Sequence, residues 1–213
     1  MRYQPLFARD GYNKVNVALV KGRIHSLNQY PTGVREGCRI ALSGTPGTGK
    51  TTIGALLAKE NFKIITLETL AEKYECLGEV DVVDNSKPID MKKLKRELEI
   101  SWTSATRDII IIDGHLSHQL PCDEKIILRC RPDILQARLE KRDYTKEKVL
   151  GNVEWELIGG PWNDKEDSEG WLELDTTELS KEDTFEYIRN WIIDDFKPTT
   201  RGTEIDWIGV MEE

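Results

Sequence analysis

Several things are scarce in this sequence, and each scarcity excludes something. The four cysteines, Cys38, Cys76, Cys122 and Cys130, contain no CxxC pair. A dithiol redox centre is therefore absent, and reduced, mostly buried thiols are expected. No apolar run approaches the roughly 20 residues that span a bilayer. The N-terminus lacks the apolar core of a signal peptide, so the reading is cytoplasmic. Excess positive charge is missing too: 30 basic side chains face 38 acidic ones, for a net charge of −8. This argues against broad, sequence-independent nucleic-acid binding, though a local basic groove stays open.

What is present suits one soluble α/β domain. The 213 residues are 38% hydrophobic and 32% charged, enough for a sizeable core. Residues 1–37 are basic and carry no functional motif; they are an N-terminal extension of uncertain structure. Beyond them, "RIALS", "FKIITL", "DIIIID", "KIILRC" and "WLELD" read as strands, with helical spacing between. The unbroken isoleucine run of the third strand fits a parallel strand covered on both faces. Asp90 and Ser180 read as helix N-caps. "TLAEKYECLGE" reads as helix, "GGPWNDKEDSEG" as loop. The expected fold is α/β, with a doubly wound, five-stranded parallel sheet. The domain spans 38–196, and residues 197–213 form an unassigned tail.

The strongest signal is "GTPGTGKT", Gly44 to Thr51, which matches G-x-x-x-x-G-K-[ST] between a strand and a helix and makes the expected α/β fold that of a P-loop NTPase. Gly44, Thr45, Pro46, Gly47, Thr48, Gly49, Lys50, Thr51 and Thr52 would wrap the phosphates of ATP with backbone N–H groups. Lys50 reaches the β- and γ-phosphates. Thr51 can ligate Mg²⁺. A second Mg²⁺ residue should end another buried strand on the same sheet edge. Asp113 meets that description; Asp108, at the strand's other end, does not. Neither a guanine-reading NKxD nor an active-site DxxG follows, which excludes a GTPase. Small nucleoside monophosphate kinases remain, with a short helical lid at about 138–158 and an acceptor region at about 67–99.

"GTPGTGKTT", "DGHLSH" and "LRCRPDILQARLEKRDYTKEKVLGNVEWE", in this order and spacing, resemble the adenylate kinase isoenzyme 6 family. The resemblance covers roughly Arg39 to Ile158. It implies phosphate transfer from ATP to AMP, some ATPase activity, and a role in small ribosomal subunit maturation through a ribosomal protein of the pre-ribosome. An ATPase acting mainly as a binding switch, or a kinase for another acceptor such as CMP, would share the same donor site.

Arg138 and Arg142 lie four apart on an expected helix, hence on one face. The resemblance places Arg138 near adenine and Arg142 near the phosphates. Lys73 is a candidate phosphate anchor of the acceptor site. "DTT", Asp175 to Thr177, either contacts adenine or simply turns into the last helix. His115 faces the phosphates beyond Asp113, where it either orients the attacking group or couples Asp113 to the lid. His118 reads as structural. A zinc site on the two histidines lacks a third ligand apart from Cys122.

Overall fold

Strands and helices follow one another along the chain, and each strand lies parallel to its neighbours. The computed structural model describes residues 37–80, 87–142, 144–164, 171–197 and 205–211, all within one compact unit, Val34–Glu213. Apart from Gly37, the N-terminal extension expected over residues 1–37 lies outside the described residues.

The strands are β1 (Cys38–Gly44), β2 (Lys63–Thr66), β3 (Ile109–Asp113), β4 (Glu124–Arg129) and β5 (Leu172–Asp175). They form one sheet in the order β2-β3-β1-β4-β5, the doubly wound parallel sheet that the sequence predicts. The chain crosses to one side of β1 for β2 and β3 and to the other for β4 and β5. That reversal opens a crevice beyond the carboxyl ends of the strands, where such sheets hold their ligands. The register pairs Leu42 with Asp113 and Gly44 with Leu128. The end of β1, Asp113 and the end of β4 thus meet at one edge.

Helices cover both faces. On one side α1 (Lys50–Lys59) and α6 (Lys181–Ile193) pack on Ile40, Leu42, Ile109, Ile111, Ile126 and Leu128. On the other, α2 (Leu67–Lys73) and α3 (Met91–Ser101) pack on Ile112. Successive strand side chains point to opposite faces, so two covered faces explain the isoleucine run. A smaller cluster of Cys130, Leu135, Leu139 and Val149 joins α4 (Pro132–Leu139) to α5 (Lys146–Leu157). Asp90 and Ser180 cap their helices as expected, accepting hydrogen bonds from Lys93 N and Asp183 N.

Three local expectations need correction. The helix read through "TLAEKYECLGE" stops at Lys73. Glu75 turns left-handed, and Cys76 N closes back on Ala71 O at 2.7 Å, which buries Cys76 beneath α3. The loop "GGPWNDKEDSEG" begins as a 3₁₀ turn, Gly160–Asp164, and residues 165–170 lie outside the described residues. The tail contains a short helix, α7 (Trp207–Met211), anchored by the fully buried Trp207. Among the described residues no helix is long and apolar enough to cross a membrane.

Because both faces of β3 are covered, Ile111→Ala and Ile112→Ala should each cost about 2–5 kcal/mol in urea denaturation. A near-neutral effect at either position would mean that one face is open to water.

Candidate active site

The phosphate loop is a sharp backbone turn that only a missing side chain permits. Gly44 has φ +133°, and a Cβ there would lie 2.2 Å from Leu128 O. Gly47 has φ +98°, and a Cβ would meet Leu135 Cδ1 at 2.7 Å. L-residues seldom adopt such angles, and the loop is pressed against α4 besides. Thr45 and Thr48 are buried beneath it. Thr48 Oγ1 and Thr48 N both donate to Thr45 O, at 2.8 and 3.2 Å.

Lys50 opens α1, and its ammonium donates to Gly44 O at 2.6 Å and Thr45 O at 3.0 Å. Burial pulls its pKa down to about 8, with Asp113 acting against the fall and Arg142 adding to it. Arg142 therefore stands within electrostatic reach of the loop. Asp113 ends β3 half-buried. Burial raises its pKa, Lys50 opposes the rise, and Glu68 adds to it. A Cβ on Gly54 would touch Asp113 Oδ2 at 3.5 Å, so the carboxylate lies beside α1. Gly54 is one turn from Thr51, whose side chain is exposed. One carboxylate and one hydroxyl suit Mg²⁺, which keeps several waters and takes phosphate oxygens as its other ligands.

The segment "DGHLSH" is stitched to the end of β1. Gly114 N donates to Leu42 O, and Ser43 Oγ donates to His115 O at 2.7 Å. His115 Nδ1 lies 3.1 Å from Gly44 O, so Nδ1 carries the proton and the ring stands at the start of the phosphate loop. Burial pushes the His115 pKa below its usual range, against the pull of the Gly44 carbonyl. This places His115 at the loop rather than between Asp113 and the lid. His118 is fully buried, with Nδ1 2.7 Å from Ser43 Oγ and Nε2 3.2 Å from Asp164 Oδ2. Both nitrogens are engaged, which leaves the two histidines unable to chelate one ion together. The four cysteines form no disulfide; three are buried and Cys122 is half-buried.

The paired arginines do not share a helix face. Helix α4 ends at Leu139, because Tyr144 folds back onto the Leu135, Leu139 and Val149 cluster. Arg142 therefore sits in the following turn, exposed, 5.9 Å from the Tyr144 ring centroid. Arg138 donates to Thr176 O at 2.7 Å and Thr177 O at 3.2 Å. It holds the "DTT" turn against the phosphate-loop region, where Thr176 Oγ1 also donates to Thr48 O. On the acceptor side Lys73 is exposed, its ammonium 5.2 Å from the Tyr74 ring centroid.

Sequence reasoning missed a charged node behind the loop. Arg129 and Glu156 are both fully buried, and Arg129 Nε donates to Glu156 Oε1 at 2.7 Å. Arg129 Nη1 donates to Glu173 Oε1 at 2.8 Å. Burial works against the Arg129 charge, but the two carboxylates outweigh it and raise its pKa. Glu156 Oε2 accepts the Thr45 hydroxyl, so the node touches the phosphate loop directly. A signal existed: Val149, Val153 and Glu156 fall at helical i, i+4, i+7 spacing, which puts a carboxylate on a buried face. Arg129 likewise follows the apolar run 126–128 of β4 and is buried with it.

The model of the AAA domain family matches residues 40–159. An Archaeoglobus fulgidus protein named "putative adenylate kinase" is 35% identical over 177 residues, covering 82% of this chain and 94% of that one. Its namesake in Pyrococcus abyssi is 35% identical over 176 residues, covering 82% and 93%. In Methanocaldococcus jannaschii a third is 43% identical over 122 residues, covering 56% and 67%. This chain belongs to that adenylate-kinase-like P-loop family. The geometry brings the loop, the end of β3 and Asp113 together at one edge of the sheet.

Lys50 gives this family member a pH signature. Its folded pKa, about 8, lies below the ordinary 10.5. Below about 8 the ammonium is charged in both states and burial destabilises the fold. Between about 8 and 10.5 the folded chain gives up the proton first, so that cost fades as pH rises. Nucleotide-free Lys50→Met protein should therefore be more stable than the parent at neutral pH, with the gap closing across that window. Urea denaturation at several pH values measures this; a pH-independent gap would contradict it.

Proposed function

We propose that this chain is a nucleoside monophosphate kinase that transfers the γ-phosphoryl group of Mg·ATP to AMP, giving two ADP. The observation that carries the reading is the convergence of the Gly44–Thr51 loop, Lys50, Asp113 and Thr51 at the carboxyl edge of the sheet. The name carried by the archaeal relatives supports AMP as acceptor. An oxygen of the AMP phosphate attacks the γ-phosphorus, and the bond to the β–γ bridging oxygen breaks, leaving ADP on the donor side. Mg²⁺, when bound, neutralises charge on the β- and γ-phosphates, held through Asp113 and Thr51.

The chain's own contribution is position and charge. Loop N–H groups fix the donor phosphates, and Lys50 leaves the Gly44 and Thr45 carbonyls to meet them. Arg142 supplies positive charge from the turn after α4. His115, with its Nδ1 proton committed to Gly44 O, presents Nε2 as an acceptor, which orients the attacking group when that group carries a proton, as water does in ATP hydrolysis. Arg138 shapes the nucleoside edge by holding Thr176 and Thr177. Helices α2 and α3 border the AMP side. The same donor site supports slow ATP hydrolysis when water replaces AMP. A role in small ribosomal subunit maturation rests on the resemblance to the isoenzyme 6 family. Binding of a small-subunit ribosomal protein in a pull-down tests it.

ADP formation from ATP, measured with AMP, with CMP and with no acceptor, decides the activity. AMP should stimulate well above the other two; a rate equal to that with no acceptor refutes the kinase reading. Arg142→Ala should lower kcat by about 10³, the smaller end of what an arginine on a transferring phosphoryl group contributes. His115→Ala with unchanged rates would remove His115 from the mechanism.

A further inference from the structure

The Arg129–Glu156 node carries one cation against two carboxylates, Glu156 and Glu173. Indole N–H groups add donors to both carboxylates. Trp162 Nε1 donates to Glu173 Oε1 at 2.7 Å, and Trp207 Nε1 donates to Glu156 Oε1 at 3.0 Å. Trp207 is itself fully buried. The C-terminal segment is held there a second time, by Ile205 N donating to Glu173 Oε2 at 3.0 Å.

Glu156 faces two ways. Oε1 gathers Arg129 Nε, Cys130 N at 3.1 Å and the Trp207 indole. Oε2 takes the Thr45 hydroxyl. Thr45 is the pivot of the phosphate loop, since its carbonyl collects Lys50 Nζ, Thr48 N and Thr48 Oγ1. A carboxylate with no solvent contact needs each of its donors, and a lost one cannot be replaced by water. The position of Oε2, and with it Thr45, therefore depends on what holds Oε1.

We propose that the C-terminal helix α7 positions the phosphate loop, with Trp207 acting on Thr45 through the Glu156 carboxylate. Trp207 is a positioning residue: it touches neither the phosphates nor the reacting atoms. The inference deepens the nucleotide-binding reading and gives the chain's C-terminal segment a role on the ATP side of the site, not the AMP side.

The test is a double-mutant cycle on the full chain. Trp207→Phe keeps an aromatic ring and removes the N–H. Thr45→Val keeps the shape and removes the hydroxyl, and Thr45→Ser should restore it. ATP affinity is read by calorimetry and AMP affinity separately, with circular dichroism checking the fold. Each single variant should bind ATP about five- to tenfold more weakly, less than the full contribution of a hydrogen bond to a charged group because the loss reaches the phosphates only through the loop. AMP affinity should stay within about twofold. The double variant should be no weaker than the weaker single, because both act through one carboxylate. Wild-type ATP affinity in folded Trp207→Phe overturns the proposal. So do additive losses, or equal losses for ATP and AMP. If Trp207→Phe fails to fold, Trp207→His, which keeps a ring N–H, must restore both the fold and ATP affinity; failure to do so also counts against it. A wild-type chain that does not bind ATP would sink the kinase reading itself, a separate result.

Discussion

Much of this molecule is organised by one ion pair that water cannot reach. Taking a guanidinium and a carboxylate out of water costs several kcal/mol per ion before any attraction is counted. Arg129 and Glu156 meet that cost only because neighbouring elements supply the remaining partners: Thr45 from the phosphate loop, Cys130 from the end of β4, Glu173 from β5 and Trp207 from α7. Satisfying the pair requires all of these to be in place together. Loop, sheet edge, α5 and C-terminal helix thereby become interdependent, which a purely apolar contact would not demand.

The phosphate loop adds a second constraint, one of shape. A strand must end and a helix begin within six residues, while backbone N–H groups stay pointed at a common centre. Glycine makes the turn possible, and the close approach of Leu128 and Leu135 makes it rigid. Lys50 bridges the two constraints. Its ammonium is buried against carbonyls of the same loop whose hydroxyl is gripped by Glu156.

How much of this could be read in the sequence follows from how local each feature is. The loop, the five strands and the caps at Asp90 and Ser180 depend on neighbours within a few residues, and they were legible. Asp113 was legible because an apolar run shows where a buried strand ends. The shared face of Arg138 and Arg142 was misread because a tertiary contact, Tyr144 on Leu135 and Leu139, stops the helix early. The charged node was invisible to local rules. Arg129 and Glu156 lie 27 residues apart, and Thr45 and Glu156 lie 111 apart. A charge on the buried face of a helix signals that a partner exists but does not say where. Trp207 was missed for the same reason, since a five-residue helix carries too little periodicity to announce itself.

Ser43, His118 and Asp164 stand at spacings that elsewhere mark a nucleophile, a base and its orienting acid. Here the hydroxyl is sealed from solvent and directed at the His115 carbonyl, so attack on a substrate is ruled out by access. What remains is a question of proton inventory. A neutral imidazole has one ring proton, and burial favours the neutral form of His118. If that proton serves Asp164, Nδ1 becomes an acceptor and competes with the His115 carbonyl for the single Ser43 proton. His118 therefore decides whether the Ser43 proton goes to the His115 carbonyl or to the imidazole, a choice made at the carboxyl end of β1 without any atom heavier than hydrogen having to move.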